Sequence, residues 1–220
     1  LLKAGDNPGA RDEFEKAMRL NIHDETAALE YAFLCNDTQK PIEARRTFDR
    51  LRKYGATAAT KATAEQAFEN IDQPLAKGIA RWRQALERSP NAMDLNLYSA
   101  HWELAHLAEL RDELPLAAEQ YEICRQMKPQ VYSLLLDLAR VWQQLNQAEQ
   151  AHAALVAASR GPDPRTAEQA LELLGPRYPY VYEFVNAIKL DPHNVPLRRE
   201  LAYLYLALHK ETEAIAEFQQ

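Results

Sequence analysis

Residues 197–220 read LRRELAYLYLALHKETEAIAEFQQ, and the spacing within them decides the fold. Ala214 is followed four residues later by Phe218, and the pair Leu201-Ala202 begins thirteen positions before Ala214. Residues four apart share one face of an α-helix, so Ala214 and Phe218 mark the apolar side of one helix. Leu201, Ala202 and Tyr205 mark that of a helix before it. The small residues let two helices approach closely, and the large ones fill the groove beside them.

Working back along the chain, the same small–large–small pattern recurs seven times. Its members are Ala10/Phe14/Ala17, Ala44/Phe48/Leu51, Gly78/Trp82/Ala85, Ala117/Tyr121/Cys124, Ala151/Leu155/Ala158, Tyr180/Phe184/Ala187 and Ala214/Phe218. The first members stand 34, 34, 39, 34, 29 and 34 residues apart, a register that chance does not produce. A large residue followed by Ala precedes the small one by thirteen positions at Tyr31-Ala32, Leu104-Ala105, Leu138-Ala139 and Leu201-Ala202. Proline follows it by twelve at Pro90, Pro129 and Pro192, where it lacks the N–H that would continue a helix. Each unit therefore reads as helix, short turn, helix, stop.

A 34-residue helix pair of this kind resembles the tetratricopeptide repeat family, with the clearest copies at Tyr98 to Val131, Tyr132 to Arg165 and Val195 to Gln220. The resemblance implies an all-α fold, a right-handed superhelical solenoid of about six to seven antiparallel helix pairs in one array over 1–220. Its units are 1–24 (partial), 25–58, 59–97, 98–131, 132–165, 166–194 and 195–220 (partial). The family's glycine between the two helices is present at Gly5 and Gly175 and replaced by His209 in the last unit.

Two units depart from the pattern. Where the large-Ala pair belongs, the third has Glu65-Gln66 and the sixth Ala167-Glu168, so their first helices are expected to be shifted or short. Both contain TAEQA, at 63–67 and 166–170, which reads either as duplication of a three-unit block or as shared helix-surface composition. In the sixth unit Asp163-Pro164 reads as an N-cap followed by Pro at the first helical position, and Gly175-Pro176 as the stop. Residues 176–184, PRYPYVYEF, are the most aromatic stretch. Tyr180 takes a place held elsewhere by Ala or Gly, which predicts a local opening of the helix pair, read as altered curvature or a small pocket, or as compensation for the short preceding helix. The chain starts within one helix and ends within another without polar caps, so the array is expected to continue or to be flanked by other domains.

Charge and composition exclude several functions. The 32 acidic and 26 basic side chains give a net charge of −6, against binding a phosphate backbone. Protein, not nucleic acid, is the expected partner. No run of eighteen apolar residues occurs, so no bilayer span is predicted, and the compartment is not fixed by the sequence. Cys35 and Cys124 read as small buried hydrophobes. Gly-rich phosphate loops, nucleophile elbows, zinc-protease motifs and paired cysteines are lacking, and His101 and His106 are too far apart around one helix to share a metal. No catalytic residue, metal or cofactor is assigned.

In such arrays the first helix of each pair lines the concave face, the usual working surface. Candidates for contacting a partner there are Glu30 and Phe33, then Trp102, Glu103 and His106, then Asp137 and Arg140, then Arg199, Glu200 and Tyr203. Aromatic rings beside charges supply the rigid amphipathic area favoured at binding hot spots. The alternative stays open that Trp102, Phe33 and Tyr203 pack within the array and that the charges form a solvated face, while Trp82 and Trp142 occupy core positions. The mixed charges differ from the Lys/Asn-rich clamp with which some members of the family hold C-terminal tails. The sequence thus predicts a scaffold clamping a protein or peptide segment, with a docking arm of a larger enzyme or of a secretion or polysaccharide-export machine as the alternative. Self-association through the array ends is a further possibility.

Overall fold

The computed structural model describes residues 6–88 and 97–220, and these are all helix, turn and loop. Gly5 and Pro90 lie outside them. The helices fall into two compact units, one of residues up to 90 with 106–113, the other of residues 91–105 with 114–220.

In the first unit α1 (Asn7–Leu20), α2 (Glu25–Asp37), α3 (Pro41–Tyr54) and α4 (Ala58–Arg88) pack each on the next in sequence. Asp24 starts α2 by accepting the Ala27 N–H at 2.9 Å. Ala32, Cys35, Ala44, Phe48, Leu51, Ala64 and Phe68 make the core. Arg45 binds Asp72 at 2.7 Å and Asp112 at 3.1 Å, and Arg111 binds Asp72 at 3.2 Å, so ion pairs tie residues 111–113 to α3 and α4.

The third unit of the sequence differs from expectation. Instead of two helices joined by a turn, residues 58–88 form one helix that runs through Pro74. The first half of this helix still buries Ala64 and Phe68, so the missing large-Ala pair removes the landmark but not the buried face. Trp82 and Ala85 are only half-buried, yet Gly78 keeps its role. A Cβ there would come within 2.8 Å of Leu107 Cδ1, so a larger residue would push the end of that side chain aside.

The second unit contains residues 97–105 of α5 (Leu97–Leu110), then α6 (Leu114–Met127), α7 (Ser133–Gln144), α8 (Ala148–Ser159), α9 (Pro164–Leu174), α10 (Val181–Leu190), α11 (Val195–Ala207) and α12 (Glu211–Phe218). Successive pairs pack from α6 to α9 and from α10 to α12, and α10 also lies against α8. The core runs through Leu135, Ala139, Leu155, Ala158, Phe184, Ala187, Leu197 and Leu201, with Trp142 packed against it. Tyr121 and Cys124 on α6 are also buried, the thiol donating to the Tyr98 carbonyl at 3.6 Å. The helices ending at Met127 and Leu190 stop just ahead of Pro129 and Pro192, as the spacing predicts.

One turn recurs in the register of the repeat. Gln39, Asp112, Asn146 and His209 have φ of 60°, 63°, 60° and 57°, and each stands five residues before the small residue of its unit. In each, the next residue's N–H reaches back five positions: Lys40 to Cys35, Glu113 to Ala108, Gln147 to Trp142 and Lys210 to Tyr205, at 2.8–2.9 Å. This is a Schellman C-cap, satisfying carbonyls that a helix end leaves orphaned. Asp112, Asn146 and His209 are of the types that tolerate left-handed backbone best, while Gln39 adopts it at a cost, so the turn recurs across differing residues.

The turn between α9 and α10 is built otherwise. Gly175 has φ 72° and ψ −171°, a conformation open to glycine alone. The next helix begins only at Val181, with Tyr180 as its extended N-cap residue. Tyr180 thus lies outside the helix pair it was expected to pry open, and Phe184 and Ala187 keep their buried places. The two TAEQA copies bury different letters, Ala64 in the first, Thr166 and Ala170 in the second, so equal letters here face differently.

Candidate partner-binding surfaces

The sequence-predicted residues divide between internal contacts and open surface. Phe33 is partly exposed, but its ring meets Phe48 edge-on at 5.0 Å, and Tyr203 meets Phe218 likewise at 5.5 Å. Each aromatic therefore covers the large residue of the following helix while keeping one face to solvent. Glu200 is turned inward. Its carboxylate receives Arg160 Nε at 3.1 Å and Nη2 at 2.9 Å, and the Tyr178 hydroxyl at 2.9 Å. Burial pushes this carboxyl up, but the hydrogen bonds from Arg160 and Tyr178 outweigh it and hold it below the usual glutamate range. Trp102, Glu103 and His106 are half-buried on α5, while Glu30 and Arg199 are exposed.

Asp137 and Arg140 are brought together by the helical spacing, with Arg140 Nη2 donating to Asp137 Oδ1 at 2.8 Å. Arg140 also lines a groove of about 350 Å³ between α7 and α9. One wall is Leu136, Ala139, Arg140 and Gln143, the other Gln169, Glu172 and Leu173. The sequence places α9 through Asp163-Pro164 and Gly175-Pro176 but does not show which of its faces stays open. The signal available was the run Leu171, Leu173 and Leu174, of which the first two stay exposed. Placing α9 requires its N-cap, Asp163 accepting the Thr166 N–H at 3.2 Å, and its Gly175 stop. Ala139 is buried on the core side of the same helix, so the groove floor and the core share one backbone.

A second surface surrounds the α9–α10 connection. Arg177 binds Glu183 at 2.7 Å, and Glu183 also accepts the Tyr180 backbone N–H at 2.6 Å, closing the N-terminus of α10. Glu183 is almost fully buried. Burial raises its carboxyl, while the hydrogen bonds from Arg177 and from the Tyr180 backbone outweigh that and hold it below its ordinary value. Fixed in this way, the segment leaves Tyr178, Tyr180 and Tyr182 more than half exposed.

Repeating helix pairs with one recurring turn make the chain a helical-repeat protein, and among the described residues no helix is long and apolar enough to cross a membrane. Family models give no match to the chain, and curated proteins give no relative. Among solved structures it is similar to a crystal structure of MamA, at 12% identity over 99% of this chain and 87% of that one, with a TM-score of 0.26. The helical-repeat fold is established by the chain's own helices and turns.

Proposed function

We propose that the protein is a non-catalytic scaffold of tetratricopeptide type, one array of helix pairs that holds a segment of a partner protein between its first helices. The observation that supports this reading is the open groove between α7 and α9. Its two walls bring the apolar Leu136, Ala139 and Leu173 together with Arg140 and Glu172, charges of opposite sign. An apolar trough with a few oriented polar groups suits a helical or extended segment, and contacts of this extent give micromolar affinity, on the order of 8 kcal/mol. The sequence motifs of catalysis are lacking, which favours binding over chemistry.

The test is a pull-down from the source organism with the parent protein and with an Arg140→Ala, Leu173→Asp variant, shown by circular dichroism to be folded. Proteins held by the parent and lost by the variant support the groove. The same proteins on both would rule it out as the working surface. Trp102→Ala and Tyr203→Ala, assayed separately, extend the comparison to α5 and α11.

A further inference from the structure

The first unit has an open face of its own, where α1 and α3 wall a groove of about 410 Å³ to which α3 contributes Glu43, Arg46, Thr47 and Arg50. Ile22 and Arg50 also line an adjoining hollow of about 330 Å³ beside Tyr54. Ile22 is 72% exposed and Tyr54 80%, so apolar area lies open at the Arg50 end of the face.

Most charges here are already matched. Glu15 pairs with Arg19 at 2.6 Å, Arg46 with Asp112, and Glu25 accepts the Ala56 N–H. Glu43 and Arg50 have no partner among the described residues. For Arg50 this is unusual. It is half-buried, and every other half-buried arginine among the described residues has a carboxylate, as Arg45 has Asp72 and Arg198 has Glu217, both at 2.7 Å. Glu43 and Arg50 stand seven residues apart, two turns along one face of α3 and about 10.5 Å along its axis, and within one chain they do not meet.

We propose that this face is covered by a second copy of the chain, with α3 crossing the partner's α3 in antiparallel sense about a two-fold axis between Arg46 and Thr47. The midpoint of Glu43 and Arg50 falls there, so the axis sets Glu43 against Arg50 of the partner subunit and Arg50 against Glu43 of the partner subunit. An isologous contact makes each pairing twice, and one arrangement supplies both stranded groups with a counter-ion. An acidic segment of another protein would match Arg50 but bring like charge to Glu43, and a basic segment would do the reverse. Arg46 lies nearest the axis and approaches its own copy, but Asp112 neutralises it. Ile22 and Tyr54 help to exclude water around Arg50, which strengthens its pairing.

The test is light scattering behind size exclusion, with sedimentation equilibrium of the 220-residue protein from millimolar down to micromolar concentration. On dilution the parent should pass from twice 25.1 kDa to 25.1 kDa, and added salt should favour the monomer. Glu43→Arg and Arg50→Glu should each weaken the dimer by roughly tenfold or more, because each sets like charges face to face twice. The double variant Glu43→Arg, Arg50→Glu exchanges the two charges and should regain the parent's dimer constant, which also shows that the single losses are not misfolding. Phe218→Asp on α12 should leave the constant unchanged, which separates this contact from association through the array ends. A parent monomeric throughout, single variants that dimerise as the parent does, or a double variant no tighter than the single ones would each overturn the proposal, the last assigning Arg50 to an acidic partner instead.

Discussion

Arg160 and Glu200 meet as two parallel forks, Nε to Oε1 at 3.1 Å and Nη2 to Oε2 at 2.9 Å, and this pair joins the end of α8 to the middle of α11. The guanidinium is largely buried and the carboxylate is closed by the Tyr178 hydroxyl. Removing one partner strands the other, which costs more than the pair contributes. Glu200→Ala should therefore lower stability by about 2 kcal/mol in urea unfolding. The exposed neighbour Arg199→Ala should stay within about 0.5 kcal/mol of the parent. Equal effects would mean that Glu200 faces solvent, as the sequence alone suggested.

The Arg177–Glu183 pair sets a pH dependence. A carboxyl held below its unfolded value stabilises the fold fully above that value and loses its contribution as pH falls through the folded one. Glu183 is depressed, so the α9–α10 connection should loosen as pH drops below the ordinary glutamate value of about 4.3. Tyrosine fluorescence should report a transition there in the parent. In Glu183→Gln the transition should be missing, and its persistence would assign it to another carboxyl.

The recurring turn makes a prediction with two signs. Gln39→Gly relieves a left-handed Cβ penalty of about 1 kcal/mol and should raise the thermal midpoint. Gly175→Ala should lower stability by about 1–3 kcal/mol, purely through backbone strain, because no atom lies within 4 Å of the added Cβ. Thermal unfolding of the two single variants checks both directions.

Pro74 interrupts α4 by withholding an N–H from the carbonyl of Asn70. Pro74→Ala should restore that bond and stabilise the protein by about 2 kcal/mol, with a gain in helical circular dichroism. A loss of stability would show that the helix needs the break there.

The helix pairs were legible because an Ala with a Phe, Tyr or Leu four residues on can bury only one way, and the 34-residue register repeats that constraint. Where the landmark fails at Glu65-Gln66 the sequence predicts two helices and the protein has one, whereas α9 is legible from its Asp163 cap and Gly175 stop and only its open face, with Leu173, is not. The candidate binding residues were read by helix face, which places a side chain but not its neighbour. Phe33, Tyr203 and Glu200 all lie on the predicted helices, and each has its contact in a residue distant in sequence: Phe48, Phe218 and Arg160. Gly175-Pro176 is legible as a stop, but the spacing of small and large residues does not show that the chain then runs extended to Tyr180, outside the next helix.

Eight of the twelve residues of α8 are buried, and α7, α9 and α10 all lie against it. In a stack where every pair touches only its neighbours, each can open separately, and its amides exchange with solvent independently. A helix enclosed on three sides cannot be released without moving all three. The amides of Ala154 to Ala158 should thus be the slowest in the second unit to take up deuterium, and the surrounding helices should share one opening event, so this unit melts as a single cooperative block.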